Sequence, residues 1–452
     1  MIRALQSVTT DPPSAALQRL SMLAPRPATV EASGLSVEML TSLVLKHLWS
    51  AGALAMAPLA DRLGVLGGVL EPVVQFLRRE ALVQLQSRGV GDGDVRFALT
   101  DRGRQAAREA LAKCGYVGPA PVPLSTYERV TRAQAVPRRS VSRERVAQCF
   151  DDVVMSPELR DRLGVAMTSG KAIFLYGPAG TGKTYIATRL IETLSGEVLI
   201  PHAIAVNDKI VRVFDRTVHE PVDRLDGQGG HRVLIAQGFD ARFALCKRPL
   251  VIIGGELTLE MLDVRYDPST AEYHAPLQMK ANGGVFVIDD LGRQAFLVQR
   301  IFDRWIVLLE HQVDHLAAGS DTVFEIPCDP IVVFSTNLEP ADLADDAILR
   351  RLGYKIKLGP MPVPLYAQIW ERACAAMNVG FDRRVLDYAL HHLYPQSDRP
   401  TLACHPRDLI RMALDKATYD ERPAAFDIED LRWAWTNYFV AEDDTAPANA
   451  TR

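Results

Sequence analysis

The chain is poor in cysteine, with six in 452 residues, at positions 114, 149, 246, 328, 374 and 404, and no CxxC pair. A disulfide framework needs a denser set, so these thiols are expected to be reduced, small and mostly buried. Cys404 and His405 adjoin, but no second ligand pair accompanies them, which speaks against a metal centre there. No apolar run approaches the roughly 20 residues of a membrane span. Met1 to Pro25 lacks the apolar stretch of a signal peptide. The net charge of −4 gives no global pull toward nucleic acid or anionic membrane. The expectation is a soluble, cytoplasmic protein without membrane insertion. What the chain does have is apolar mass, 48% of residues, over a length that suits about two or three domains.

Residues 1–34 are rich in Ala, Ser, Thr and Pro and read as a mostly disordered N-terminus. Over 35–115 the pattern is three helices, a hairpin and a further helix. Leu40, Leu43, Val44, Leu45 and Leu48 mark the first helix, Met56 to Gly64 the second, and Val69, Val73, Val74, Phe76 and Leu77 the third. Leu82–Gln86 and Val95–Thr100 flank a Gly/Asp-rich turn, and Asp101 opens the last helix. This order is that of a winged helix. Residues 116–150 read as a linker, punctuated by Pro119, Pro121 and Pro123, with six Arg against two Glu between Thr126 and Arg145.

The fold class from there on is α/β. Ala172–Gly177, Gly284–Asp290 and Ile331–Asn337 are apolar runs of the kind that form buried parallel strands, separated by helical patterns. This core is placed at 151–360. A helical lid follows at 361–441, with helices predicted over Leu365–Met377, Arg383–Leu393, Pro406–Thr418 and Ile428–Val440. Residues 442–452 are an acidic, polar tail.

Gly177-Pro178-Ala179-Gly180-Thr181-Gly182-Lys183-Thr184 fits GxxxxGK followed by Ser or Thr, after a strand and before a helix. The glycines let backbone N–H groups curl around phosphates, and the helix N-terminus favours negative charge. Lys183 is expected to reach the β/γ-phosphates of ATP, and Thr184 to place its hydroxyl on Mg²⁺. Asp289 and Asp290 end the run Val285–Ile288, where a carboxylate can hold that ion. Asp289 is the expected Mg²⁺ residue, and Asp290 the one that orients or deprotonates the attacking water. Asn337 ends the next strand and can polarise the water or γ-phosphate without adding charge. Arg350 and Arg351 offer a planar cation to phosphate, from a neighbouring subunit; the sequence does not choose between them. Arg407, opening a lid helix, can swing onto the nucleotide.

Taken together these motifs resemble the AAA+ ATPase superfamily. Gly177–Thr184 looks like Walker A and Val285–Asp290 like Walker B. Asn337 is similar to sensor 1, Arg350 or Arg351 to the arginine finger, and Arg407 to sensor 2. The resemblance covers residues 150 to 441 and implies a P-loop core with a helical lid, sites formed between subunits of a ring, often a hexamer, and remodelling of proteins or nucleic acids. Two features depart from the common pattern. The second acid is Asp290 rather than Glu, as in replication-initiator and helicase-loader relatives. And 106 positions separate Lys183 from Asp289, about twice what a compact core needs. The excess, about 204–267, includes a hairpin over Ile204–Val213 with an Asn207-Asp208 turn and the segment Val251–Asp267. The Ala281–Asp290 lead-in resembles MoxR-like, magnesium-chelatase-like and enhancer-binding AAA+ proteins. The whole arrangement resembles a group of bacterial ATPases described as chaperone-like and linked with pilus assembly.

The favoured expectation is a ring-forming ATPase that remodels a protein client reached through the insert or the winged helix. The alternatives are a DNA-directed ATPase docked by its winged helix and a non-hydrolysing switch that assembles on ATP. DNA is the less favoured partner. The front of the recognition helix, Val65 to Pro72, is apolar with one acid, whereas base readout needs Arg, Lys, Asn or Gln. Arg78, Arg79, Arg88 and Arg96 suit phosphate contact at best.

Overall fold

The computed structural model describes residues 13–86, 95–135, 141–222, 238–319, 322–423 and 425–439. Its organising element is a five-stranded sheet in the order Leu250–Ile253, Val285–Ile288, Ile331–Thr336, Ile173–Tyr176, Tyr354–Lys357. The registered pairs within it are parallel. Val285–Ile288 is buried at every position, and Ile331–Thr336 likewise, as strands covered on both faces must be. The chain divides into two compact units, Met1–Ser140 with Leu194–Ile288 and Arg293–Val332, and Val141–Thr193 with Asp289–Gly292 and Val333–Arg452.

In the first unit, helix Val37–Ala51 starts at Ser36, whose hydroxyl accepts from the Met39 amide, and stops at Gly52. Helices Met56–Leu63 and Gly67–Arg79 follow, and all three bury one face: Leu40, Leu43, Leu59, Leu63, Val69, Val73 and Leu77 share a core. Strands Val83–Gln86 and Arg96–Leu99 pair as the alternation predicts. A third strand, Ala53–Ala55, adds to the other side of Arg96–Leu99. The hairpin tip, with Arg88, lies outside the described residues.

The sequence expectations need correction at three places in this unit. Residues 1–34 are not mostly disordered where they are described: Pro13–Leu23 and Val30–Ser33 are helical, and Ala24 is 1% exposed. Leu20 and Leu23 pack on a buried cluster that the Ala/Ser/Pro composition conceals. The expected linker at 116–150 carries secondary structure in its described parts, 116–135 and 141–150. Val122–Pro123 pairs with Ile204–Ala205 and leads into helix Leu124–Gln134, which buries Tyr127 and Val130. Pro123 fits because this is an edge strand. Finally, the excess before Asp289 is more than an insert. The hairpin is present, Ala203–Val206 against Lys209–Arg212, with Asn207 at φ 54 in its turn. It belongs to a five-stranded sheet with Arg265–Asp267, Glu272–His274 and Val122–Pro123. Leu250–Ile253, read partly as insert, is instead the edge strand of the main parallel sheet.

The second unit holds the P-loop strand and the lid. The lid helices are Val363–Ala376, Arg383–Tyr388, His405–Tyr419 and Ile428–Tyr438, with a π-helical turn at Ala389–Leu393. Tyr366, Trp370, Leu386, Leu409, Ile410, Leu431 and Trp435 form their core. The acidic tail lies outside the described residues.

Inside the lid core, His405 is buried and hydrogen-bonded among aromatic side chains. Its Nδ1 is 2.9 Å from the Tyr394 hydroxyl, which in turn bonds the Tyr366 hydroxyl. Among the described residues no group of three or more His, Cys, Asp or Glu can hold a metal ion. All six cysteines are free. Burial pushes the His405 imidazole from 6.5 down to about 4, and that of His202 in the first unit likewise. The folded chain then refuses protons that the unfolded chain accepts. Stability present above 6.5 is therefore lost as pH falls toward about 4. Melting curves across that window should show a steady decline, shallower in His405→Gln; equal slopes for the two proteins would remove His405 as a cause. No helix among the described residues is long and apolar enough to cross a membrane.

Candidate nucleotide-binding site

All the residues singled out for phosphate chemistry lie in the second unit. Strand Ile173–Tyr176 delivers the chain into Gly177, and three glycines then take positive φ: Gly177 at 134°, Gly180 at 82° and Gly182 at 89°. Other residues resist such angles. Space forbids a side chain as well: a Cβ on Gly177 would overlap the Leu358 carbonyl, and one on Gly180 would overlap Cys404 Sγ. The Thr181 hydroxyl closes the loop by donating to the Pro178 carbonyl at 2.9 Å. Gly182 then caps helix Lys183–Arg189.

Lys183 is 6% exposed, and its ammonium donates to the Gly177 and Pro178 carbonyls at 2.8 Å each. Burial lowers its pKa; the negative field of Asp289 and Asp290 works the other way. The Thr184 hydroxyl donates to Asp289 Oδ2 at 2.8 Å, across 105 positions of sequence. A hydroxyl and a carboxylate brought together in this way are hard oxygen donors, the kind that suits Mg²⁺.

Asp290 has φ 48, in the left-handed region. Asp is enriched several-fold there. The local backbone thus gives a physical reason for an Asp at this position. The Asp289–Gly292 segment is pinned to the neighbouring strand: the Leu291 amide donates to the Ser335 carbonyl at 2.8 Å, and the Thr336 hydroxyl donates to the Leu291 carbonyl at 2.6 Å. Thr336 is in register with Tyr176, so Asn337 and Gly177 leave their strands at the same level.

The two arginines differ in setting. Both end helix Asp346–Arg351, which Asp345 caps by accepting from the Ile348 amide. Arg351 is half-buried and donates to the Ala347 carbonyl at 3.0 Å. Arg350 is exposed. Arg407, in the first turn of helix His405–Tyr419, is exposed and lies 3.3 Å from Asp408 Oδ1.

Two contacts in this unit escape sequence reasoning. The Cys404 amide donates to the Gly180 carbonyl at 3.1 Å, so the helix carrying Arg407 begins against the P-loop itself. Arg372, on lid helix Val363–Ala376, donates to the Asp151 carbonyl at 3.2 Å. Neither has a sequence signal, because both acceptors are backbone carbonyls.

Residues 363–437, most of the lid, match the family described as Domain of unknown function (DUF8689). No match to a curated protein was found. Among solved structures, the chain is similar to a point mutant of Thermotoga maritima RuvB (12% identity, 63% of this chain and 71% of that one, TM-score 0.37). It is also similar to NtrX from Brucella abortus in complex with ATP (12% identity, 83% and 71%, TM-score 0.39). The ADP complex of NtrX gives 12% identity, with the chain spanning 58% of that protein's length, 67% of its own, and a TM-score of 0.39. The glycine-rich loop after Ile173–Tyr176, the acid-ended strand Val285–Ile288, the parallel sheet and the helices from Val363 onward make this an α/β fold with a helical C-terminal part.

Proposed function

We propose that the chain is an Mg²⁺-dependent ATP hydrolase that assembles into a ring of its own copies and uses turnover to remodel a protein partner. The observation that carries the nucleotide part is the 2.8 Å contact between Thr184 and Asp289 beside the buried Lys183. In this reading the P-loop amides hold the phosphates and Lys183 turns from its loop carbonyls to the β/γ-phosphates. Thr184 and Asp289 hold Mg²⁺, which neutralises developing phosphate charge when bound. Asp290 orients the attacking water, Asn337 polarises it or the γ-phosphate, and Arg407 brings the lid onto the nucleotide.

Residues 35–115 are assigned as a winged helix that serves as a protein adaptor. Helix Gly67–Arg79 supports this over DNA reading. Val69 and Leu70 at its front are buried, while Gly67, Gly68, Glu71 and Pro72 face out. None of the outward four is a base reader. Leu66 and Phe76 add exposed apolar surface, at 38% and 37%.

The exposed Arg350 is assigned as the finger that reaches a neighbouring copy's nucleotide. A finger contributes about 10³-fold or more to the rate. Arg350→Ala and Lys183→Ala proteins should each be inactive alone and regain turnover when mixed, since each supplies what the other lacks at a shared interface. Co-assembly without regained phosphate release would defeat the shared site.

A further inference from the structure

The turn that carries Asn337 is held from both sides. On one side the Thr336 hydroxyl accepts from the Leu338 amide at 3.2 Å and donates to the Leu291 carbonyl, tying the turn to the residue after Asp290. On the other side Glu339 Oε1 accepts from the Lys357 ammonium at 2.6 Å. Lys357 ends strand Tyr354–Lys357 and is in register with Tyr176, the residue before Gly177. Its ammonium also lies 5.7 Å from the centre of the Tyr176 ring. The ion pair therefore arches over the end of the P-loop strand. It joins the two strands that flank that strand, at the level where the phosphate loop begins.

Stability does not account for such a pair. The two side chains are 56% and 54% exposed, and exposed pairs contribute little to folding. What an ion pair can do there is restrict a loop. Glu339 lies two residues beyond Asn337, and the short helix Pro340–Leu343 follows at once. With Thr336 fixing one flank, the Lys357–Glu339 pair fixes the other.

We propose that Glu339 and Lys357 are a positioning pair that sets where the Asn337 amide stands relative to the P-loop, and so tunes turnover without contributing to nucleotide affinity. The inference rests on the ATPase reading above. Displacing a polarising group by a fraction of an ångström to 1 Å costs up to about 100-fold in rate. Ionic screening should act on the pair as it does on any exposed one.

The test uses the full chain, with Glu339→Gln and Lys357→Met measured beside the wild type. Steady-state phosphate release should show kcat lower by about 10- to 100-fold in each variant. Binding of a fluorescent ATP analogue should stay within about twofold, and the melting temperature should not move. Added salt should slow the wild type more than the variants, and the reversed pair, Glu339→Lys with Lys357→Glu, should recover part of the lost kcat. Wild-type kcat in both single variants would overturn the positioning role. So would a loss of kcat matched by lost affinity and a lower melting temperature, which is the mark of a structural prop. A wild type without turnover would remove the ATPase reading and this role together, a result distinct from an active wild type with unaffected variants.

Discussion

Lys183→Ala is expected to weaken ATP binding at least about 100-fold and to remove hydrolysis with it. The reason lies in what the ammonium does in each state. In this structure it is buried and satisfied by two carbonyls of its own loop, at 2.8 Å each. In the proposed ATP complex those bonds give way to bonds to anionic phosphate oxygens, and hydrogen bonds between charged groups contribute about 1.5–3 kcal/mol each. Two such bonds amount to about 100-fold or more, at roughly 1.4 kcal/mol per tenfold. Alanine leaves the phosphates facing Asp289 and Asp290 without this counter-charge. Titration of a fluorescent ATP analogue by anisotropy measures the effect, and near-normal affinity in Lys183→Ala would mean that the loop does not bind phosphate as assigned.

The second large effect concerns folding. Asp240 and Arg242 form an ion pair with side chains 2% and 3% exposed. The Arg242 guanidinium also donates to the Ser33 and Pro121 carbonyls at 3.0 and 3.2 Å, and the Asp240 amide donates to the Ala24 carbonyl at 2.8 Å. One pair thus ties the N-terminal segment and the chain before helix Leu124–Gln134 to the same point of the first unit. Arg242→Ala leaves a buried carboxylate without its cation and two buried carbonyls without a donor. Breaking a buried pair from one side costs about 3–5 kcal/mol. Urea unfolding followed by the fluorescence of Trp49 and Trp305, both in that unit, should show a loss of this size. Replacing both partners by apolar residues should cost less, because no charge is left unpaired. A midpoint unchanged in Arg242→Ala would show that the N-terminal segment is not anchored there.

Neither Asp240 nor Arg242 stands out in the sequence, and the contrast with the P-loop is instructive. The Gly177–Thr184 loop is legible because the chemistry expected of it is local: glycines, lysine and threonine must follow one another for one loop to form. Val285–Ile288 and Ile331–Thr336 are legible because burial on both faces demands unbroken apolar runs. The lid helices announce themselves by period. Leu250–Ile253 does not, because it is a four-residue edge strand with Ile252 47% exposed, and short apolar runs carry no period. Pro119, Pro121 and Pro123 read as a linker, yet Val122–Pro123 is a strand, since an edge position tolerates proline. The sequence does not choose between Arg350 and Arg351 for a different reason, and the preference for Arg350 as the finger is a proposal that rests on its exposure. Adjacent residues of one type are told apart only by which carbonyl each can reach.

The most direct test of the account is a single-turnover experiment with Mg²⁺ and a trace of labelled ATP, comparing the wild type with Asp290→Asn. The substitution keeps the left-handed backbone at 290 accessible, since Asn tolerates it as Asp does, and leaves the Thr184–Asp289 contact in place. The wild type should bind ATP and release phosphate; Asp290→Asn should bind equally well and release none above background. Phosphate release at the wild-type rate by Asp290→Asn, or no ATP binding by the wild type, would contradict the account.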